Sequence, residues 1–224
     1  MKRVVETSRS SAKKPPAKST KPRPPKPPDP VTGAWTPTKE QLAKAVRKRV
    51  PDLIAPNLDV LFCGINPGLY SAAVGRHFAG PGSRFWITLR DAGLTPRLYS
   101  AFEEDQLLSL GYGITNLVPR ASAMADELSP DELRSGARRL RRLVLEYQPR
   151  YLAVLGFVAY RTGFKQPKAI GGRQPELIGS TQVWLLPNPS GLNAHHQDSG
   201  LANLFSELRV AAVVPRETVD VSPT

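Results

Sequence analysis

Several things are scarce in this chain, and each shortage closes off a class of protein. Cysteine occurs once in 224 residues, as Cys63, which excludes an internal disulfide and a cysteine-based zinc site. The only histidines are His77 and the adjacent pair His195-His196, a weak set for a metal, so neither a metal nor a cofactor is expected. No apolar run approaches the roughly 18 residues that a membrane span requires. The N-terminal residues also lack the apolar centre of a signal peptide. The expectation is a soluble cytoplasmic protein, nucleoid-associated, with no membrane partner. Phosphate-loop motifs are missing too: there is no G-x-x-x-x-G-K-[ST], and no G-x-G-x-x-G after a strand. Acid is in short supply, with 19 Asp and Glu against 31 Lys and Arg, a net charge of +12. Such an excess points to a polyanion, most simply nucleic acid, with a basic solubilising surface as the plainer alternative.

The positive charge is unevenly spread. Residues 1–37 hold nine Lys or Arg against Glu6 and Asp29, together with nine prolines between Pro15 and Pro37. This segment has too little apolar surface to offset its ordering entropy, and reads as a disordered basic tail. It suits a nonspecific phosphate-binding arm, or else a solvated extension with no binding role. Residues 38–224 read as one domain with a core over about 55–212, and as a monomer.

Thr38-Lys39-Glu40-Gln41 has capping-box spacing before a short basic helix over 41–48. Val60 to Cys63 is a buried strand, which makes Cys63 a small core hydrophobe. Ser83 is placed to cap a helix over 84–91, and Tyr112 to Leu117 suits a short strand. Ser129-Pro130-Asp131-Glu132 starts a helix whose buried face is Leu133, Ala137, Leu140, Val144 and Tyr147. The arginines at 134, 138, 141 and 142 fall largely off that face. Tyr151 to Leu155 and Val183 to Leu186 are further strands, and a helix over 202–210 follows. Strands alternating with helices predict an α/β protein, a three-layer α/β/α sandwich around a short, mostly parallel central sheet. Its site belongs in the crevice at the carboxyl ends of the strands, where the loops after Cys63 and Leu186 both open.

The first of those loops, Gly64-Ile65-Asn66-Pro67-Gly68, is built as a cradle: glycines permit close approach and the proline limits freedom. Asn66 adds a side chain that both donates and accepts. Gly75-Arg76-His77-Phe78 and Ser83-Arg84-Phe85-Trp86 follow, and Asn188-Pro189-Ser190-Gly191-Leu192 lies further on. Taken together, the block from Phe62 to Trp86 and this late element resemble the mismatch-specific uracil-DNA glycosylases related to thymine-DNA glycosylase. The likeness runs from about Leu58 to about Leu208.

That resemblance implies a DNA-repair enzyme that hydrolyses the N-glycosidic bond of flipped-out uracil in double-stranded DNA, preferring G mismatches, with thymine or other altered pyrimidines as possible substrates. It gives Asn66 the role of positioning the attacking water; the alternative is an amide that caps its own loop. An amide is no general base at neutral pH, so an acid elsewhere could assist, and Asp91 is one candidate. The base pocket would be formed by Gly64, Ile65, Pro67, Gly68, Ser71 and Phe78, with Phe78 stacking on the base. Phe78 as a core aromatic is the alternative, disfavoured because His77 and Gly80 beside it do not look like core. Ser71 would lie near C5 of the pyrimidine, and Tyr70 is bulkier than the serine expected beside it. Asn188, Pro189, Ser190, Gly191, Leu192 and Asn193 would form the wedge loop, Leu192 filling the gap left by the flipped nucleotide. A plain strand-to-helix turn is the alternative for that loop. His195-His196 departs from the family's short basic continuation and suits phosphate contact or plain exposure. No lysine stands in these motifs to form a Schiff base, which implies a monofunctional enzyme. The competing readings are a nonenzymatic binder of damaged or single-stranded DNA on the same fold, and a glycosylase of broader, mismatch-independent range.

Overall fold

The computed structural model describes residues 36–190 and 198–213. Five strands form one sheet in the order β2-β1-β3-β5-β4: β1 (Val60–Gly64), β2 (Tyr112–Asn116), β3 (Tyr151–Leu155), β4 (Gly172–Ile178) and β5 (Thr181–Leu186). β1 runs parallel to β2 and to β3, and β3 parallel to β5; only the edge strand β4 is antiparallel. β1 and β3 are buried along nearly their whole length, as expected of strands covered on both faces.

Alternate residues of these strands feed two cores. Val60, Phe62, Ile114, Ala153, Leu155, Trp184 and Leu186 face α3 (Phe85–Asp91), α6 (Asp198–Val213) and a 3-10 helix, Ala101–Leu110, through Phe85, Leu89, Phe205 and Leu107. Leu61, Cys63, Leu152, Val154, Val183 and Leu185 face α4 (Pro130–Tyr147) and α5 (Phe157–Gly163). The molecule is therefore the three-layer α/β/α sandwich that the strand and helix alternation predicts. Cys63 lies in the second core, fully buried, and burial pushes its thiol far above the usual range.

Local chemistry explains most element ends. Thr38 Oγ1 accepts from Gln41 N at 3.2 Å and Gln41 Oε1 accepts from Thr38 N at 2.8 Å, closing the expected capping box. α1, however, spans only Lys39–Ala43, and the chain leaves helical geometry at Arg47, with φ 61°. Ser129 and Glu132 cap α4 reciprocally, with Pro130 in the first turn. The buried face of α4 is Leu133, Gly136, Ala137, Leu140 and Val144; Tyr147 is only half-buried. α3 begins at Phe85, one residue later than its expected start, and α6 begins at Asp198, four residues before Ala202.

Five elements carry too little pattern to be read from the sequence: α2 (Leu69–Val74), α5, β4 and the two 3-10 helices, Ala101–Leu110 and Ala125–Glu127. α2 and α5 are six and seven residues long, below two full turns. β4 is a largely exposed edge strand interrupted by Pro175 and irregular in register between Arg173 and Leu177. Proline is tolerated in such a strand because one row of its backbone groups faces outward. The basic tail, apart from its last two residues, and Gly191 to Gln197 lie outside the described residues.

Candidate functional site

The chain leaves β1 for β2 on one side and later places β3 on the other, so the sheet has a topological switch point between β1 and β3. In open α/β sheets the crevice beyond such a point holds the ligand. Here it opens into a cavity of about 740 Å³. The loop after β1 supplies Ile65, Asn66 and Gly68, and the turn of chain behind it supplies Ser71, Phe78 and Gly80. The loop after β5 supplies Asn188, Pro189 and Ser190. A third wall, residues 122–126, comes from the segment after β2 and is absent from the sequence reading. Gly64 and Pro67 are buried behind the lining. Gly191, Leu192, Asn193, His195 and His196 lie outside the described residues. Tyr70 does not line the cavity; it packs beside Gly80.

The two motif loops are joined directly. Arg84 N donates to the Pro189 carbonyl at 2.9 Å, and Ser83 forms a bridge with Ser190. The R-F-W element thus fixes the mouth of the cavity against the N-P-S loop. Across the switch point, Gly156, between β3 and α5, has φ 136°, and a Cβ there would lie 2.9 Å from Ile65 Cδ1. Only glycine fits a backbone so disposed beside the cavity floor.

Asn66 is the best-defined group of the site. Its Nδ2 donates to Ser122 Oγ at 2.7 Å and to the Arg120 carbonyl at 3.2 Å, with a longer contact to the Pro67 carbonyl. Ser122 Oγ itself donates to the Met124 carbonyl at 2.6 Å. Its proton is thereby committed, so towards Asn66 it acts only as an acceptor. The Asn66 amide must then present its nitrogen to the protein, which leaves Oδ1 as its acceptor for a ligand or a water. Arg120 is anchored in turn by Glu132, through Nε–Oε1 and Nη2–Oε2 contacts of 2.5 and 2.9 Å. The Arg120 guanidinium, followed by the Ser129 backbone N–H, lowers the Glu132 carboxyl to about 2.

Phe78 combines the two roles the sequence leaves open. Its ring stacks on core Phe85, centroids 4.1 Å apart and planes 18° apart, while the residue stays half-exposed in the cavity wall. It adopts φ 50°, uncommon for a bulky residue, and is held by Trp86 Nε1 donating to its carbonyl and Ser71 Oγ accepting from Ala79 N. Gly64 makes room for the ring: a Cβ there would lie 3.1 Å from Phe78 Cζ and 2.8 Å from Asn116 Oδ1.

His77 corrects the sequence reading, since it is core after all, 2% exposed. Its Nε2 lies 3.0 Å from the Pro51 carbonyl and its Nδ1 3.3 Å from Asn116 Nδ2, so both ring nitrogens are engaged. Its backbone N–H donates to Glu104, a fully buried carboxylate that pairs with buried Arg76 at 3.2 Å. A polar residue closing an apolar strand was the available signal for Asn116; nothing in the sequence marks Ser122. Asp91 is likewise corrected as an assisting acid: it is exposed, paired with Arg90 at 2.7 Å, and off the cavity lining. Among the described residues no group of three or more metal-ligating side chains occurs, and no helix is long and apolar enough to cross a membrane.

A cleft at the switch point of a parallel sheet, walled by a held aromatic ring and an oriented amide, defines an α/β protein with a site for a flat, polar-edged ligand. A family model for the uracil DNA glycosylase superfamily matches residues 51–209, most of the folded part. The chain belongs to that superfamily, whose members are DNA glycosylases, hydrolases that act on uracil in DNA.

Proposed function

We propose that this protein is a monofunctional, mismatch-specific glycosylase that releases flipped-out uracil from double-stranded DNA, preferentially opposite guanine. The observation that carries the reading is the fixed orientation of Asn66, whose nitrogen is held by Ser122 and Arg120. Its Oδ1 then accepts from a water and aims that water's lone pair at the sugar carbon. Phe78 supplies the stacking face, a contact worth about 1–3 kcal/mol per base in single-strand binders. Ser71 lies in the same wall, where C5 of the pyrimidine would rest. Backbone N–H groups near Ile65 and Phe78 would bond the base oxygens, which gain charge as the bond breaks. Leu192 would fill the gap in the stack, with Asn188, Pro189, Ser190, Gly191 and Asn193 forming the loop that carries it. No lysine lines the cavity among the described residues, which supports hydrolysis without a Schiff base.

The cavity, about 740 Å³ and open at one side, supports a second reading, a glycosylase of broader, mismatch-independent range. One experiment separates these readings. Base release is measured from duplexes with one uracil opposite guanine, one opposite adenine, and from an unpaired strand, with Asn66→Ala in parallel. Release chiefly from the guanine mismatch, lost in the variant while DNA binding persists, is the expected outcome. Equal release from all three would discard mismatch preference. Binding without release by the wild type would make the protein a nonenzymatic binder.

A further inference from the structure

An oriented amide leaves one chemical problem unsolved. Water adding to the sugar carbon becomes strongly acidic, and an amide oxygen does not take up its proton at neutral pH. The cavity wall formed by residues 122–126 contains a group that does. Asp126 is the one Asp, Glu or His that lines the cavity among the described residues. We propose that Asp126 accepts the proton of the water held by Asn66 and opposes the positive charge that develops on the sugar. The inference rests on the glycosylase reading above.

Four observations favour Asp126 for the water side of the site. Asn66 is bonded to Ser122, and Ser122 to the Met124 carbonyl, so the amide and the 122–126 wall are one hydrogen-bonded unit. Phe78 and Ser71, the surfaces for the base, come instead from the stretch of chain beyond the Asn66 loop, and are bonded to Trp86 and Ala79 rather than to residues 122–126. A carboxylate on the base side would oppose departure of an anion; on the sugar side it opposes a cation and stabilises the transition state. The wall is also firmly held. Met124 N donates to Glu127 Oε1 at 2.9 Å, and Arg120 Nη2 to the Glu127 carbonyl at 3.1 Å. Finally, an exposed acid at the mouth of a cavity in a chain of net charge +12 is electrostatically out of place for phosphate binding alone.

The neighbouring charges are accounted for. Glu127, on the same turn, is bonded to Met124 N, and the Arg120 guanidinium is taken up by Glu132 and the Glu127 carbonyl. Neither the β1 loop, the segment carrying Phe78, nor Asn188 to Ser190 brings another titratable side chain to the lining. In the step itself, a water lone pair forms the bond to the sugar carbon as the carbon–nitrogen bond breaks. The bonding pair leaves with the base as its anion, and the water proton passes to the Asp126 carboxylate. That proton later returns to the departed base or to solvent, leaving an abasic sugar and free uracil.

The test is the single-turnover rate of uracil release by the full chain across pH 5–8.5, for wild type, Asp126→Asn and Asp126→Glu. Binding to duplex carrying a non-hydrolysable 2′-fluorinated deoxyuridine is measured alongside. Asp126→Asn is expected to slow release about 100-fold, the lower range for general base catalysis, with binding within about threefold. Asp126→Glu should recover part of the rate, since it restores the carboxylate. An Asn variant within about threefold of wild type, or one whose rate and binding fall together, would overturn the assignment. An inactive wild type would instead defeat the uracil reading itself, so the two failures are distinguishable.

Discussion

At the scale of single residues, the site depends on a serine whose proton is already engaged. Because Ser122 donates to the Met124 carbonyl, it accepts from Asn66, and this relation sets which end of the amide faces the cavity. Ser122→Ala would remove the shortest bond to Asn66 Nδ2 and leave only the two longer carbonyl contacts. A lost bond to a largely buried group costs about 1–2 kcal/mol, or roughly tenfold in single-turnover rate where the loss falls on orientation. Release by Ser122→Ala should therefore fall about tenfold with DNA binding retained, and Ser122→Thr should restore most of it. Unchanged release in the alanine variant would mean that the Arg120 carbonyl alone orients the amide.

At the scale of elements, the segment after β2 is locked by the start of α4. Glu132 closes the Ser129 capping box and also engages Arg120, whose carbonyl bonds Asn66. One carboxylate thus ties a helix start to the wall of the site. Its folded-state value of about 2 lies below the ordinary 4.5, so its contribution to stability is complete above about pH 4.5 and is lost as pH falls towards 2. Glu132→Gln should lower the thermal midpoint near neutrality and flatten the fall in midpoint between pH 4.5 and 2, read by calorimetry. A wild-type slope in the variant would show that the pair adds nothing to acid sensitivity, as many exposed pairs do not.

At the scale of the whole molecule, charge is divided between a folded domain and a basic N-terminal segment. Residues 1–37 carry a net +7 of the total +12, leaving +5 on residues 38–224. Each phosphate neutralised contributes about −0.9 to the slope of log K against log salt on duplex DNA. Deleting residues 1–37 should therefore make that slope shallower by several units for nonspecific duplex, with base release at low salt little altered. An unchanged slope would remove the segment from the DNA interface.

The sequence determined those features that rest on local or periodic rules. Strand-length apolar runs marked β1, β3 and β5, a 3.6-residue period marked α4, and Ser-Pro-Asp-Glu marked where it starts. The G-I-N-P-G and N-P-S segments stood out because glycine, proline and asparagine beside buried strands have few structural uses. β4 escaped because an exposed edge strand with a proline lacks alternation, and α2 and α5 because six or seven residues barely define a helical face. Tertiary structure alone decided that Ser122, 56 positions from Asn66, orients its amide. It also decided that His77 is buried, that Asp91 faces solvent, and that Asp126 lines the cavity. The physical reason is common to all four. Hydrogen bonds and burial between distant segments follow from how parallel strands are ordered in the sheet, and β1 meets both β2 and β3 only once that order, 2-1-3-5-4, is formed.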